Sequence, residues 1–161
     1  MADGGAAALW DFAVAFYGAP EVQRTCLALQ DEEGADVPLL IFAIFAGTRG
    51  QTLDEQGLRN IDNAISDWRS DVVHPLRQAR WALRAYPAID AQNLRESVKR
   101  AELEAERQQL ETLAGFLATP QPSDIASCVR ENLRAYAALG PSVSEDNVTV
   151  VLTRLSEILD Q

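Results

Sequence analysis

The sequence predicts an all-α fold, a single compact bundle of about seven to eight helices around a central apolar helix at 37–46. Three observations carry that expectation. Residues 37–46 read V-P-L-L-I-F-A-I-F-A, and a helix apolar on every side is enclosed by protein on every side. Elsewhere the apolar residues recur at helical spacing, three and four apart. Strand-like alternation comes near only in "NVTVVLT" (147–153), and there Val148, Val151, Leu152, Leu155, Ile158 and Leu159 continue a helical pattern.

The first helix is expected at about 7–17, with Leu9, Phe12, Ala13 and Phe16 as its core stripe, and residues 1–6 are expected to be disordered. Gly18 ends it and Pro20 opens the second, whose inner face is Val22, Cys26, Leu27 and Leu29 and whose stop is Gly34. Asp36 is placed to cap the central helix, with Pro38 in its first turn and "GTRG" at its end. Thr52 or Asp54 caps a fourth helix at about 53–68, with Leu58, Ile61, Ile65 and Trp68 facing inward. Pro75 marks the first turn of a fifth at about 72–86, closed by Pro87. The sixth, at about 90–118, has a narrow seam of Leu94, Val98, Ala101 and Ala105 and an acidic outer face expected to be solvated. "PQPSD" is a loop between helices; Ser123 or Asp124 caps a seventh helix to about Leu139, and "GPSVSED" leads to the last. The organisation is one helical domain over 1–161: a compact N-terminal bundle at 7–87, then the long helix and the C-terminal helices at 90–160.

Length and composition agree. A chain of 161 residues buries roughly 70% of its unfolded surface, enough for a core that needs no metal or disulfide. "MADGGAAA" lacks the basic and apolar regions of a secretory signal, and the longest apolar run is far short of the ~20 residues that cross a bilayer. The expected location is the cytoplasm. Cys26 and Cys128 lie in unrelated segments and are read as small buried hydrophobes. A net charge of −10 argues against binding to nucleic acid or to an anionic membrane. That charge is uneven: residues 69–86 hold four arginines and one acid, while 1–68 hold 11 acids and three bases.

Two constellations stand out. Asp31, Glu32 and Glu33 fall in the last turn of the second helix, where negative charge opposes the helix dipole. Arg77, Arg80 and Arg84 fall on one edge of the fifth helix, beside the apolar stripe Val72, Leu76, Ala79, Leu83 and Tyr86. Aligned guanidiniums grip carboxylate or phosphate through planar forks of donors. The stripe either pairs with protein acids such as Asp31, Glu33 or Asp36, or binds an external anion. The first alternative, in which the acidic turn meets the arginine stripe, accounts for acids beside such an apolar run. His74 is the lone histidine, expected at a helix start or on the surface; with Asp71 it supplies only one half of a carboxylate-bridged metal motif. No glycine-rich phosphate loop, G-x-S-x-G elbow or calcium loop is present, and no catalytic residue, metal ligand or cofactor is assigned.

Leu9-Trp10, Tyr17, Val22, Cys26-Leu27, Leu29-Gln30, Asp36-Val37, Leu39-Leu40 and then Pro75-Leu76-Arg77 with Arg80 form a pattern over residues 9–86. The pattern resembles an uncharacterised family of short, all-helical bacterial proteins, a domain-of-unknown-function family. Pro38 stands where that family usually has an asparagine, and Phe45 near where a tryptophan is common. The resemblance implies a small bacterial cytosolic protein and transfers no catalytic residue. It joins Gln30, Asp36, Arg77 and Arg80 in one motif set.

The leading functional expectation is a non-enzymatic protein-interaction or regulatory module, with a protein partner or self-association through the helices after residue 90. The alternative is an anionic small-ligand site or enzyme at Arg77, Arg80 and Arg84, with Gln30 and Asp36 nearby.

Overall fold

Ten consecutive residues without a polar side chain leave the central helix nothing to show to water, and the structure encloses it completely. In a computed structural model describing residues 3–160, α3 (Val37–Thr48) is buried at every position from Val37 to Gly47. Asp36 caps it as expected, its Oδ1 accepting from the Leu39 N–H at 2.8 Å. Around α3 lie α1 (Asp3–Tyr17), α6 (Ile89–Ala114) and α7 (Ile125–Ala137). Outside them α2 (Pro20–Glu33) packs on α1 and on α8 (Glu145–Leu159), and α4 (Glu55–Trp68) packs on α6 and α7. The described residues form an all-α bundle with no strand. Residues 148–153 are helical, within α8.

Several boundaries differ from expectation. α1 begins at Asp3, four residues before the expected start at about 7; residues 1 and 2 lie outside the described part. Of the paired cap candidates it is Asp54 and Asp124 whose carboxylates accept the helix-start N–H groups, from Gly57 and Ser127. The break expected between the fourth and fifth helices is absent. α4 runs without interruption into a π turn (Arg69–Val73), then α5 (His74–Ala82) and a 3₁₀ turn (Leu83–Ala85). Pro75 lacks an N–H and its ring clashes with the carbonyl four residues back, and a widened turn just before it relieves both constraints. α6 ends at Ala114, four residues earlier than its pattern suggested.

Close approach fixes the centre. A Cβ on Gly47 would lie 2.8 Å from a Val129 methyl and 2.9 Å from its Cα, so only glycine lets α3 and α7 meet this tightly. Asn132, fully buried on α7, then locks them. Its amide donates to the Ala43 and Gln51 carbonyls at 2.9 Å each and accepts from the Leu53 N–H at 2.7 Å.

One part stands away from the core. No residue between His74 and Ala101 is buried, and α5 packs chiefly on α6. The two form a helical arm. Thirteen residues of α6, 89–101, extend it by about 20 Å at 1.5 Å per residue. The expected apolar stripe of the fifth helix is thus half-buried at Val72, Leu76 and Leu83 and exposed at Ala79 and Tyr86.

Candidate functional site: a charge network at the root of the arm

Glu102 sits on the inner face of α6, spaced three and four residues from Ala105, Gln109 and Leu113, all of them buried. That register points its carboxylate at α5. Arg77 Nε donates to Oε1 at 3.0 Å, Arg80 Nη2 donates to the same oxygen at 3.1 Å, and Arg80 Nε donates to Oε2. Arg77 also donates from Nη2 to Glu106, one turn further along, at 2.8 Å. Two guanidiniums and two carboxylates thus close the arm upon itself, all largely shielded from water.

Their protonation follows from these contacts. Burial pushes the Glu102 carboxyl up, but hydrogen bonds from Arg80 and Arg77 outweigh it and hold the group below its ordinary range. The hydrogen bond to Glu102 raises Arg80. Burial pushes Glu106 up to about 7; the pull of Arg77 is offset by the charges of Glu102 and Asp36. Partial desolvation of its ring, then the charges of Arg77 and Arg69, hold His74 below its ordinary range.

A second cluster adjoins the first through α6. Gln109 Nε2 donates to both oxygens of Asp36 at 2.8 Å. Arg69 Nε lies 3.0 Å from Oδ2 of Asp36, off the line of a hydrogen bond, so this contact is charge against charge. The same guanidinium grips Asp62. The Asp36 carbonyl accepts from the Tyr136 hydroxyl at 2.8 Å, and burial raises that phenol well above its usual range. Asp36 is therefore the point where α3, the π turn after α4, α6 and α7 are tied together.

The structure separates the residues that the sequence grouped. Arg77 and Arg80 meet α6 acids, not the acidic turn: Asp31, Glu32 and Glu33 form no ion pair among the described residues. The reason is register. Glu102 and Glu106 face α5 at Arg77 and Arg80, whereas the α2 acids belong to a helix that packs on α1 and α8. Glu33 instead accepts from the Ser142 N–H at 3.2 Å, and Asp31 reaches Arg80 and Tyr17 only through its field. Gln30 is half-buried at the end of α2, outside the network. Arg84 is exposed in the 3₁₀ turn and has no ion-pair partner among the described residues.

Residues that sequence reasoning passed over carry much of this network: Glu102, Glu106, Gln109, Arg69, Asp62 and Tyr136. The seam of α6 was misplaced by its exposed members, Leu94 and Ala101; the polar side chains Glu102 and Gln109 take inner positions. The acidic face expected to be solvated is turned inward at Glu102.

Two cavities lie away from the arginine stripe. One, of about 10 Å³, is an apolar seam lined in part by Cys26, Leu40 and Val151. The other, of about 210 Å³, is a cleft between α4 and α6 lined by Ala64, Ile65, Trp68, Gln108, Gln109 and Thr112. Neither is lined by Arg77, Arg80 or Arg84. Both cysteines are buried and free, and burial pushes the Cys26 thiol up to about 12, which keeps it protonated and unreactive. No group of acids, histidine and cysteines among the described residues is arranged to hold a metal ion, and no described helix is long and apolar enough to cross a membrane.

Fold and site together define an all-helical protein that carries a helical arm stapled by internal ion pairs. The chain belongs to the family described as "Protein of unknown function (DUF2390)", which matches residues 8–113. The match spans α1 to almost the end of α6, including Asp36, Arg77, Arg80, Glu102, Glu106 and Gln109, and leaves α7 and α8 outside. Comparison with curated proteins and with solved structures found no match.

Proposed function

We propose that this protein is a non-enzymatic interaction module whose recognition element is the α5–α6 arm. One observation carries the reading. A 28-residue projection, 74–101, buries nothing in the core, yet Arg77 and Arg80 at its root are paired with Glu102, just beyond it on α6, which fixes α5 against α6. Its tip presents Tyr86, 62% exposed, and Ile89, 79% exposed. Exposed aromatic and aliphatic side chains on a preorganised element are what a partner surface desolvates for affinity. The competing anionic-ligand reading loses support, because Glu102 and Glu106 already occupy two of its three guanidiniums.

The test is in-cell photo-crosslinking with a photoreactive amino acid at Ile89, and at exposed Thr149 on α8 as control. The reading expects protein adducts from Ile89 and none from Thr149. Equal adducts from both sites, or none from either, overturn it.

A further inference from the structure

The arm and the rest of the chain are opposite in charge. Residues 74–101 carry six bases against two acids; with Arg77 and Arg80 already paired to Glu102 and Glu106, Arg84, Arg95, Lys99 and Arg100 remain against Asp90 and Glu96, while the rest of the chain carries eight bases against 22 acids. The part of the molecule electrostatically suited to receive this arm is the body of the same protein. The body also offers a receptacle. The α4–α6 cleft of about 210 Å³ is smaller than the roughly 300–1,000 Å³ of small-molecule sites but roomy enough for a large side chain. Its apolar wall is Ala64, Ile65 and Trp68, the last 41% exposed. Two exposed acids flank it by helical spacing: Asp67, three residues after Ala64, and Glu104, four before Gln108. Neither has an ion-pair partner among the described residues. The arm tip is the complement: Tyr86 and Ile89 apolar, and Arg84 the one guanidinium of its stripe left without a carboxylate. Asp90, the nearest acid, lies in the first turn of α6, where the free N–H groups offset its charge.

We infer that the occupant of the arm is a second copy of this chain: each copy inserts Tyr86 into its partner's α4–α6 cleft and lays Ile89 against its rim, with Arg84 facing Asp67 and Glu104. The interface is isologous, so one two-fold axis brings both arms to both clefts and closes the assembly as a dimer. This rests on the reading of the arm as a recognition element, and names its partner.

The test is the mass of the purified full-length chain by analytical ultracentrifugation, from low micromolar to several hundred micromolar concentration. The expected result is a monomer–dimer equilibrium weakened by salt. Arg84→Glu and the double variant Asp67→Lys/Glu104→Lys should each raise the dissociation constant by about tenfold or more, since each reverses charge in both contacts. Mixing the two variants should restore a heterodimer to within about threefold of the parent, because each contact then joins opposite charges again. Ala64→Arg, which fills the cleft from an exposed position, should leave a monomer. A strict monomer across the range overturns the inference, as does a dimer indifferent to Ala64→Arg or unrescued by mixing. A monomer that still forms Ile89 adducts with a different protein in cells overturns the second copy while the reading of the arm stands.

Discussion

Glu102 and Glu106 stand one turn apart on the same helix and respond to pH in opposite directions. Glu102 is held ionised by two guanidiniums, and removing it leaves the largely shielded Arg80 without a carboxylate and Arg77 with Glu106 alone. Glu102→Ala should therefore destabilise the fold by about 3 kcal/mol, read from urea unfolding midpoints at neutral pH. Glu106 has a folded pKa of about 7 against an ordinary 4.5. A carboxyl with a raised folded pKa binds its proton more tightly in the folded chain. Its penalty on stability is therefore absent below pH ~4.5, grows as the pH rises toward about 7, and is full above that. Glu106→Gln should flatten stability across that window and, at pH 8, stabilise the chain by up to about 3 kcal/mol. A steeper decline in the variant than in the parent would contradict the assignment.

Among the elements, the contact of α3 with α7 sets the tolerance of the core. Gly47→Ala places a Cβ against the Val129 methyl, but also within 2.9 Å of its Cα and 3.0 Å of its backbone nitrogen. It should cost about 1–3 kcal/mol, as overpacking does, and Val129→Ala should not rescue it, because two of the three clashes are with backbone. Thermal unfolding of the single and double variants decides this. The same pair shows what the sequence makes legible. The central helix could be read because ten apolar residues in a row admit one environment, and the Asp36 cap because an acid before Pro38 has a local cause. Asn132 was within reach as well, since Cys128, Val129, Leu133 and Tyr136 place it on the inner face of α7. The partners of Arg77 and Arg80 were not. Periodicity places charges on one helix, but which carboxylate on another helix meets them depends on the register of two packed helices. The π turn was also illegible, because "RSDVVHP" carries the proline that demands relief without showing whether a break or a widened turn supplies it.

At the scale of the molecule, a negatively charged body holds the core and a positively charged arm holds none of it. Substitutions at the tip should accordingly separate binding from folding: Tyr86→Ser with Ile89→Ser should change stability by no more than about 0.5 kcal/mol, measured by urea unfolding. α6 belongs to both parts. It is one unbroken rod of 26 residues, about 39 Å long, with Ile89 at one end and Gln109 in contact with Asp36 near the other. Trp68 rests about two thirds of the way along it, donating to the Ala105 carbonyl at 2.9 Å. The outer end of the rod carries the exposed tip and its inner end rests against the carboxylate at the start of the central helix, so one continuous backbone joins the most exposed part of the molecule to the most enclosed.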